Sequence, residues 1–111
     1  MGRGRKMVFS IEELRQRIAP IAKRYELQAV YLFGSYARNE ATDDSDVDIL
    51  IDRTGSKIKG MFDMGGLYSD LCGEIGKEID LITTQTLEQQ STLERTPWFV
   101  ENVRAEMRQI I

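Results

Sequence analysis

A chain of 111 residues, 41% hydrophobic and 30% charged, suffices for one domain with a stable core and is too short for a second full domain. Fifteen Lys and Arg against 18 Asp and Glu leave a net charge of −3, which disfavours electrostatic binding to a nucleic-acid backbone. The longest apolar run, Ala29 to Phe33, is far below the roughly 20 residues of a membrane-spanning helix. Arg3, Arg5 and Lys6 could open a secretory signal, but Ser10, Glu12 and Glu13 interrupt the apolar stretch that would have to follow, so a soluble cytoplasmic protein is expected. With a single cysteine, Cys72, and no histidine, an internal disulfide and most cysteine–histidine chemistry are excluded. Catalysis would run on carboxylates and hydroxyls.

Residues 1–9 are expected to form a disordered N-terminal segment, with the folded domain over 10–111. Ser10 and Glu13 have the spacing of a capping box, and Ile11, Leu14, Ile18, Ile21 and Tyr25 recur at helical intervals, which predicts a helix over 11–25. Pro20, inside it, should bend or interrupt that helix. The run from Gln28 to Phe33 reads as a buried strand ending at Gly34, and Val47 to Ile51 as a second strand. A polar turn follows at 53–59, then a glycine-weakened helix whose apolar face is Met64, Leu67, Leu71 and Ile75. Ile79 to Ile82 makes a third strand. From Leu87 onward the pattern is helical, with Thr96 as N-cap and Pro97 as first residue of a last helix carrying Phe99, Val103 and Met107 on one stripe. Trp98 and Phe99 cannot both face that stripe, so one of them is a candidate interface anchor. The order of elements is that of an α/β (α+β) fold, a small mixed sheet of three or more strands flanked by helices.

The chemistry concentrates between the first two strands. Gly34 allows a sharp turn and close approach of a ligand, and Ser35 is placed to cap a short helix whose free N–H groups suit a phosphate. Asp46 and Asp48, two apart, share one face of the entering strand and form a clamp for a hard divalent cation such as Mg²⁺. Asp80, flanked by apolar residues in the third strand, can face this pair if the two strands are neighbours and complete a three-carboxylate, two-metal centre. Singly, each of these residues has an ordinary explanation as a turn, cap or solubilising charge. Jointly they do not: with nine Gly, six Ser and eight Asp, the pattern G-S-(ten residues)-D-x-D arises by chance in roughly two in a thousand chains of this composition.

The pattern Gly34-Ser35, Asp46-Val47-Asp48 and Asp80 resembles the nucleotidyltransferase superfamily that includes DNA polymerase β, and more closely its minimal nucleotidyltransferases, over most of the chain. The resemblance implies that Gly34 and Ser35 hold the phosphates of ATP, that Asp46 and Asp48 bind two Mg²⁺ ions, that Asp80 binds the catalytic one, and that Arg38 contacts phosphate. It further implies an antitoxin that transfers AMP from ATP to a tyrosine of a partner HEPN-domain RNase toxin. The alternatives are a nucleotidyltransferase acting on a small molecule or a nucleic-acid 3′ end, and a non-catalytic antitoxin acting by contact alone. No appended domain that would hold tRNA, DNA or an antibiotic is evident, which favours an acceptor that brings its own binding surface.

Overall fold

The computed structural model describes residues 8–93 and 97–111. Five helices and four strands follow in the order α1 (Ile11–Tyr25), β1 (Ala29–Phe33), α2 (Gly34–Ala37), β2 (Val47–Asp52), α3 (Met61–Ile75), β3 (Ile79–Thr83), α4 (Thr84–Leu93), α5 (Pro97–Glu106) and β4 (Arg108–Gln109). The strands make one mixed sheet in the order β3-β2-β1-β4, antiparallel at β1/β2 and β1/β4 and parallel at β2/β3. The parallel pair needs a crossover, and α3 supplies it.

Alternation along the strands divides the core in two. Val30, Leu32, Val47, Ile49, Ile51 and Ile79 face α1 and α3 and join Leu14, Ile18, Leu67 and Leu71 in the main core. Phe33 and Leu50 point to the opposite face and pack with Leu87, Val100 and Val103 of α4 and α5. Helices on both faces explain why Ile49, Leu50 and Ile51 are consecutively apolar and all fully buried.

The capping box at Ser10 forms in full: the Glu13 N–H donates to Ser10 Oγ at 3.0 Å and the Ser10 N–H to Glu13 Oε1 at 2.8 Å. Residues 1–7 of the expected disordered segment lie outside the described residues, but Phe9, counted in that segment, is buried in the main core. It stands at the position before the cap and Leu14 at the fourth helical position, the two sites of a hydrophobic staple, so packing begins one residue before the expected boundary. Pro20 does not interrupt α1, which is continuous through Tyr25. The proline is on the exposed side of the helix, where the carbonyl deprived of its amide partner can turn to water. At the other end, α5 buries Val100 and Val103 and part of Phe99, whereas Met107 lies beyond the last helical residue and is 37% exposed. The expected Thr96 cap lies outside the described residues.

Candidate active site

Three chain segments meet at the end of the sheet where β1 finishes and β2 and β3 begin. Asp48 is the Cα partner of Phe33 on one side and of Asp80 on the other. The third-strand aspartate therefore stands beside the Asp46/Asp48 segment, as the strand reading required. Asp48 alternates with Val47 and Ile49, both committed to the main core, so its carboxylate lies on the α4/α5 face of the sheet.

The turn before this point has a steric requirement that only glycine meets. Gly34 has φ +69°, in the left-handed region, and a Cβ built there would overlap the Asp48 carboxylate oxygen Oδ2. The loop backbone thus lies directly against the aspartate. Ser35 does not cap α2: the cap position is Phe33, without a side-chain hydrogen bond, and Ser35 is the second residue of the helix. The left-handed glycine turns the chain one residue earlier than the cap reading assumed. The Ser35 carbonyl instead accepts from the Glu40 N–H at 2.8 Å, which closes the loop.

Asp46 is positioned by the neighbouring strand entrance. The Val47 N–H donates to the Glu78 carbonyl at 3.0 Å, and Lys77 Nζ donates to the Asp43 carbonyl at 2.9 Å. Within the loop, the Thr42 N–H donates to Ser45 Oγ at 2.9 Å. These ties fasten the segment carrying Asp46 to the one carrying Asp80.

The electrostatics register the convergence of the three acids. Partial burial, reinforced by the charges of Asp80 and Asp46, pushes the Asp48 carboxyl up to about 6, with the Arg38 guanidinium opposing the rise. Asp80 and Asp46 are exposed. The expected burial cost at Asp80 is absent because β3 is an edge strand and Asp80 lies near its start. Among the described residues no three acids or cysteines are gathered closely enough to enclose a metal ion by themselves. A half-buried carboxylate destabilised by two like charges is still a suitable ligand set for Mg²⁺, which prefers one or two carboxylates and takes its remaining oxygens from water and phosphate.

Arg38, the last candidate, caps the C-terminal end of α2. Its Nε donates to Glu40 Oε1 at 2.9 Å and its Nη1 to Glu106 Oε1 at 3.0 Å. The hydrogen bond to Glu40 raises its pKa, desolvation opposes the rise, and the charge of Glu106 adds to it. Glu106 had no signal in the sequence, being one acid among many, 68 residues away. Of the two aromatic candidates, Phe99 packs edge-on against Phe33 with ring centroids 6.2 Å apart, while Trp98 is 64% exposed. No helix among the described residues is long and apolar enough to cross a membrane.

Comparison with known proteins identifies the family. Residues 16–96 match the family model described as polymerase beta, nucleotidyltransferase. The Methanocaldococcus jannaschii protein MJ0435, provisionally named a protein adenylyltransferase, is 35% identical over 78 residues, covering 70% of this chain and 82% of its own length. The protein adenylyltransferase MntA of Thermococcus cleftensis is 34% identical over 68 residues, covering 61% of this chain and 67% of its own. By structure, a chain of a toxin–antitoxin complex crystallised with AMP-PNP superposes with a TM-score of 0.64 at 22% identity, over 87% of this chain and 72% of that one, which shows a shared fold. With 81 of its residues inside the family model and relatives above 30% identity over most of their length, the chain belongs to the polymerase β nucleotidyltransferase family.

Proposed function

We propose that this chain transfers AMP from ATP to a hydroxyl side chain of a partner protein, a tyrosine of a HEPN-domain RNase toxin, and thereby neutralises it. The observation that carries the reading is the pairing of Asp48 with Asp80 across two parallel strands, with the Gly34 turn lying against the Asp48 carboxylate. It is supported by the protein adenylyltransferase names of the relatives and by the toxin–antitoxin complexes that share the fold.

Each residue then has a task. The left-handed turn at Gly34 sets the start of α2, whose first N–H groups have no partner within that helix, against Asp48, where the triphosphate would lie. Arg38 adds a guanidinium that pairs with phosphate oxygens. Asp46, Asp48 and Asp80 would hold Mg²⁺, which supplies Lewis-acid activation of the hydroxyl and neutralises charge on the departing pyrophosphate. Asp80, exposed at the edge strand, accepts the proton of the acceptor hydroxyl as its oxygen attacks the α-phosphorus. The new P–O bond forms as the bond to the β-phosphate bridge breaks, and pyrophosphate leaves. The cytoplasm, which supplies ATP, is the proposed place of action.

The test is incubation with ATP, Mg²⁺ and the product of the adjacent gene, the proposed toxin, followed by intact-mass spectrometry. A gain of about 329 Da per AMP on a toxin tyrosine, from the stoichiometry of pyrophosphate loss, is the expected result. An unmodified toxin alongside labelled RNA or a labelled small molecule would refute it.

A further inference from the structure

Arg38 is engaged on two sides. Glu40, two residues along, takes its Nε, and Glu106 takes its Nη1. Glu106 is the more informative partner. It is the last residue of α5, where the negative end of the helix dipole disfavours a carboxylate. Its side chain is only 24% exposed, so water does little to compensate. The guanidinium it contacts opposes that cost. That contact also joins α5 to α2, the helix that begins at the Gly34 turn.

A triphosphate arriving at this turn would add several negative charges next to Asp46, Asp48 and Asp80. Among the described residues, Arg38 is the cation that offsets the effect of those acids on Asp48. A phosphate that takes two adjacent N–H groups of Arg38 competes with Glu40 where it takes Nε and with Glu106 where it takes Nη1. A partly exposed carboxylate–guanidinium pair shifts an equilibrium by at most about fivefold, whereas a planar guanidinium pairs with phosphate oxygens through two parallel charge-assisted hydrogen bonds. Where it takes Nη1, the phosphate wins at the expense of the link to α5.

We propose that Glu106 is a positioning residue for nucleotide binding: it pairs with Arg38 Nη1 and is displaced by the phosphates of the nucleotide, which loosens the last turn of α5. The inference rests on the nucleotidyltransferase reading of the site and adds to it a link between nucleotide occupancy and the C-terminal helix.

The experiment is calorimetric titration of ATP with Mg²⁺ into the full chain, its Glu106→Gln and Arg38→Ala variants, and the double variant. Glu106→Gln keeps the size of the side chain, and circular dichroism verifies that it folds. The expected result is binding tightened about two- to fivefold by Glu106→Gln in the native background and unchanged by it in the Arg38→Ala background. Hydrogen exchange in the native chain supplies the readout that a purely structural role would not move: amides 104–107 should exchange faster when ATP is added, and this ATP-dependent increase should be lost in Glu106→Gln. Unchanged affinity in Glu106→Gln overturns the inference. So does an equal gain in the Arg38→Ala background, because that would be charge repulsion acting without the arginine. If the native chain and every variant fail to bind ATP, the nucleotidyltransferase reading falls as well; native binding with an inert Glu106→Gln variant refutes this inference alone.

Discussion

Replacing Asp48 by Asn should make the protein more stable while removing its chemistry. The Asp48 carboxyl stands at about 6, above its ordinary 3.8, chiefly through burial and secondarily through the charges of Asp80 and Asp46. At 1.36 kcal/mol per pH unit, that displacement amounts to about 3 kcal/mol against the charged form. Asp48 is only half-buried and water screens its neighbours, which reduces the figure to about 1–1.5 kcal/mol. Because the folded-state value is raised, the protein is penalised above about pH 6 and relieved as the pH falls through that value toward 4. Asparagine has the same shape and never carries the charge. At pH 8 the Asp48→Asn variant should therefore melt roughly 4–6 °C higher than the native chain in scanning calorimetry, and the gap should vanish near pH 4. Mg²⁺ with ATP should narrow it at pH 8 by stabilising the native protein alone. An Asp48→Asn variant equal to or less stable than the native chain at pH 8 would show that burial and the neighbouring charges do not penalise the Asp48 carboxylate as described.

Gly34→Ala forces a side chain into a left-handed backbone and against the Asp48 carboxylate, so ATP affinity measured by calorimetry should fall at least tenfold, and about 1–2 kcal/mol of stability should be lost in urea denaturation. Asp80→Asn should lower AMP transfer by several orders of magnitude in a radiolabel assay, while the melting temperature, set by a core that Asp80 does not enter, stays within about 2 °C. Ile49→Ala, at a fully buried position of the central strand, should cost about 2–5 kcal/mol in urea denaturation without a specific effect on the site.

The sequence shows the centre of this molecule more clearly than its margins, for physical reasons. β1, β2 and β3 are apolar runs bounded by Gly34, by Arg53 and by the Gly76 turn, and strands buried on one or both faces leave that signature. The placement of Asp80 beside Asp48 depended on β2 and β3 being neighbours, which no local pattern states and which the parallel register supplies. β4 left no trace, because Arg108 and Gln109 are exposed polar residues whose two pairs with β1 come from tertiary position alone. Pro20 misled because propensity measures a helix interior in isolation, whereas α1 is held along its inner face by Leu14, Ile18 and Ile21. Ser35 misled because the positive φ of Gly34 starts the helix one residue early. The Arg38–Glu106 pair, spanning 68 residues, was invisible to any argument from spacing.

The claim that this end of the sheet performs nucleotidyl transfer to a protein is tested most directly by following the phosphorus. ATP labelled at either the α- or the γ-phosphate, with Mg²⁺ and the proposed toxin partner, distinguishes the two ways the nucleotide could react. The account predicts α-label retained on the toxin and γ-label released with pyrophosphate, both abolished in Asp80→Asn. A γ-label on the toxin, or α-label transferred undiminished by the Asp80→Asn variant, would contradict it.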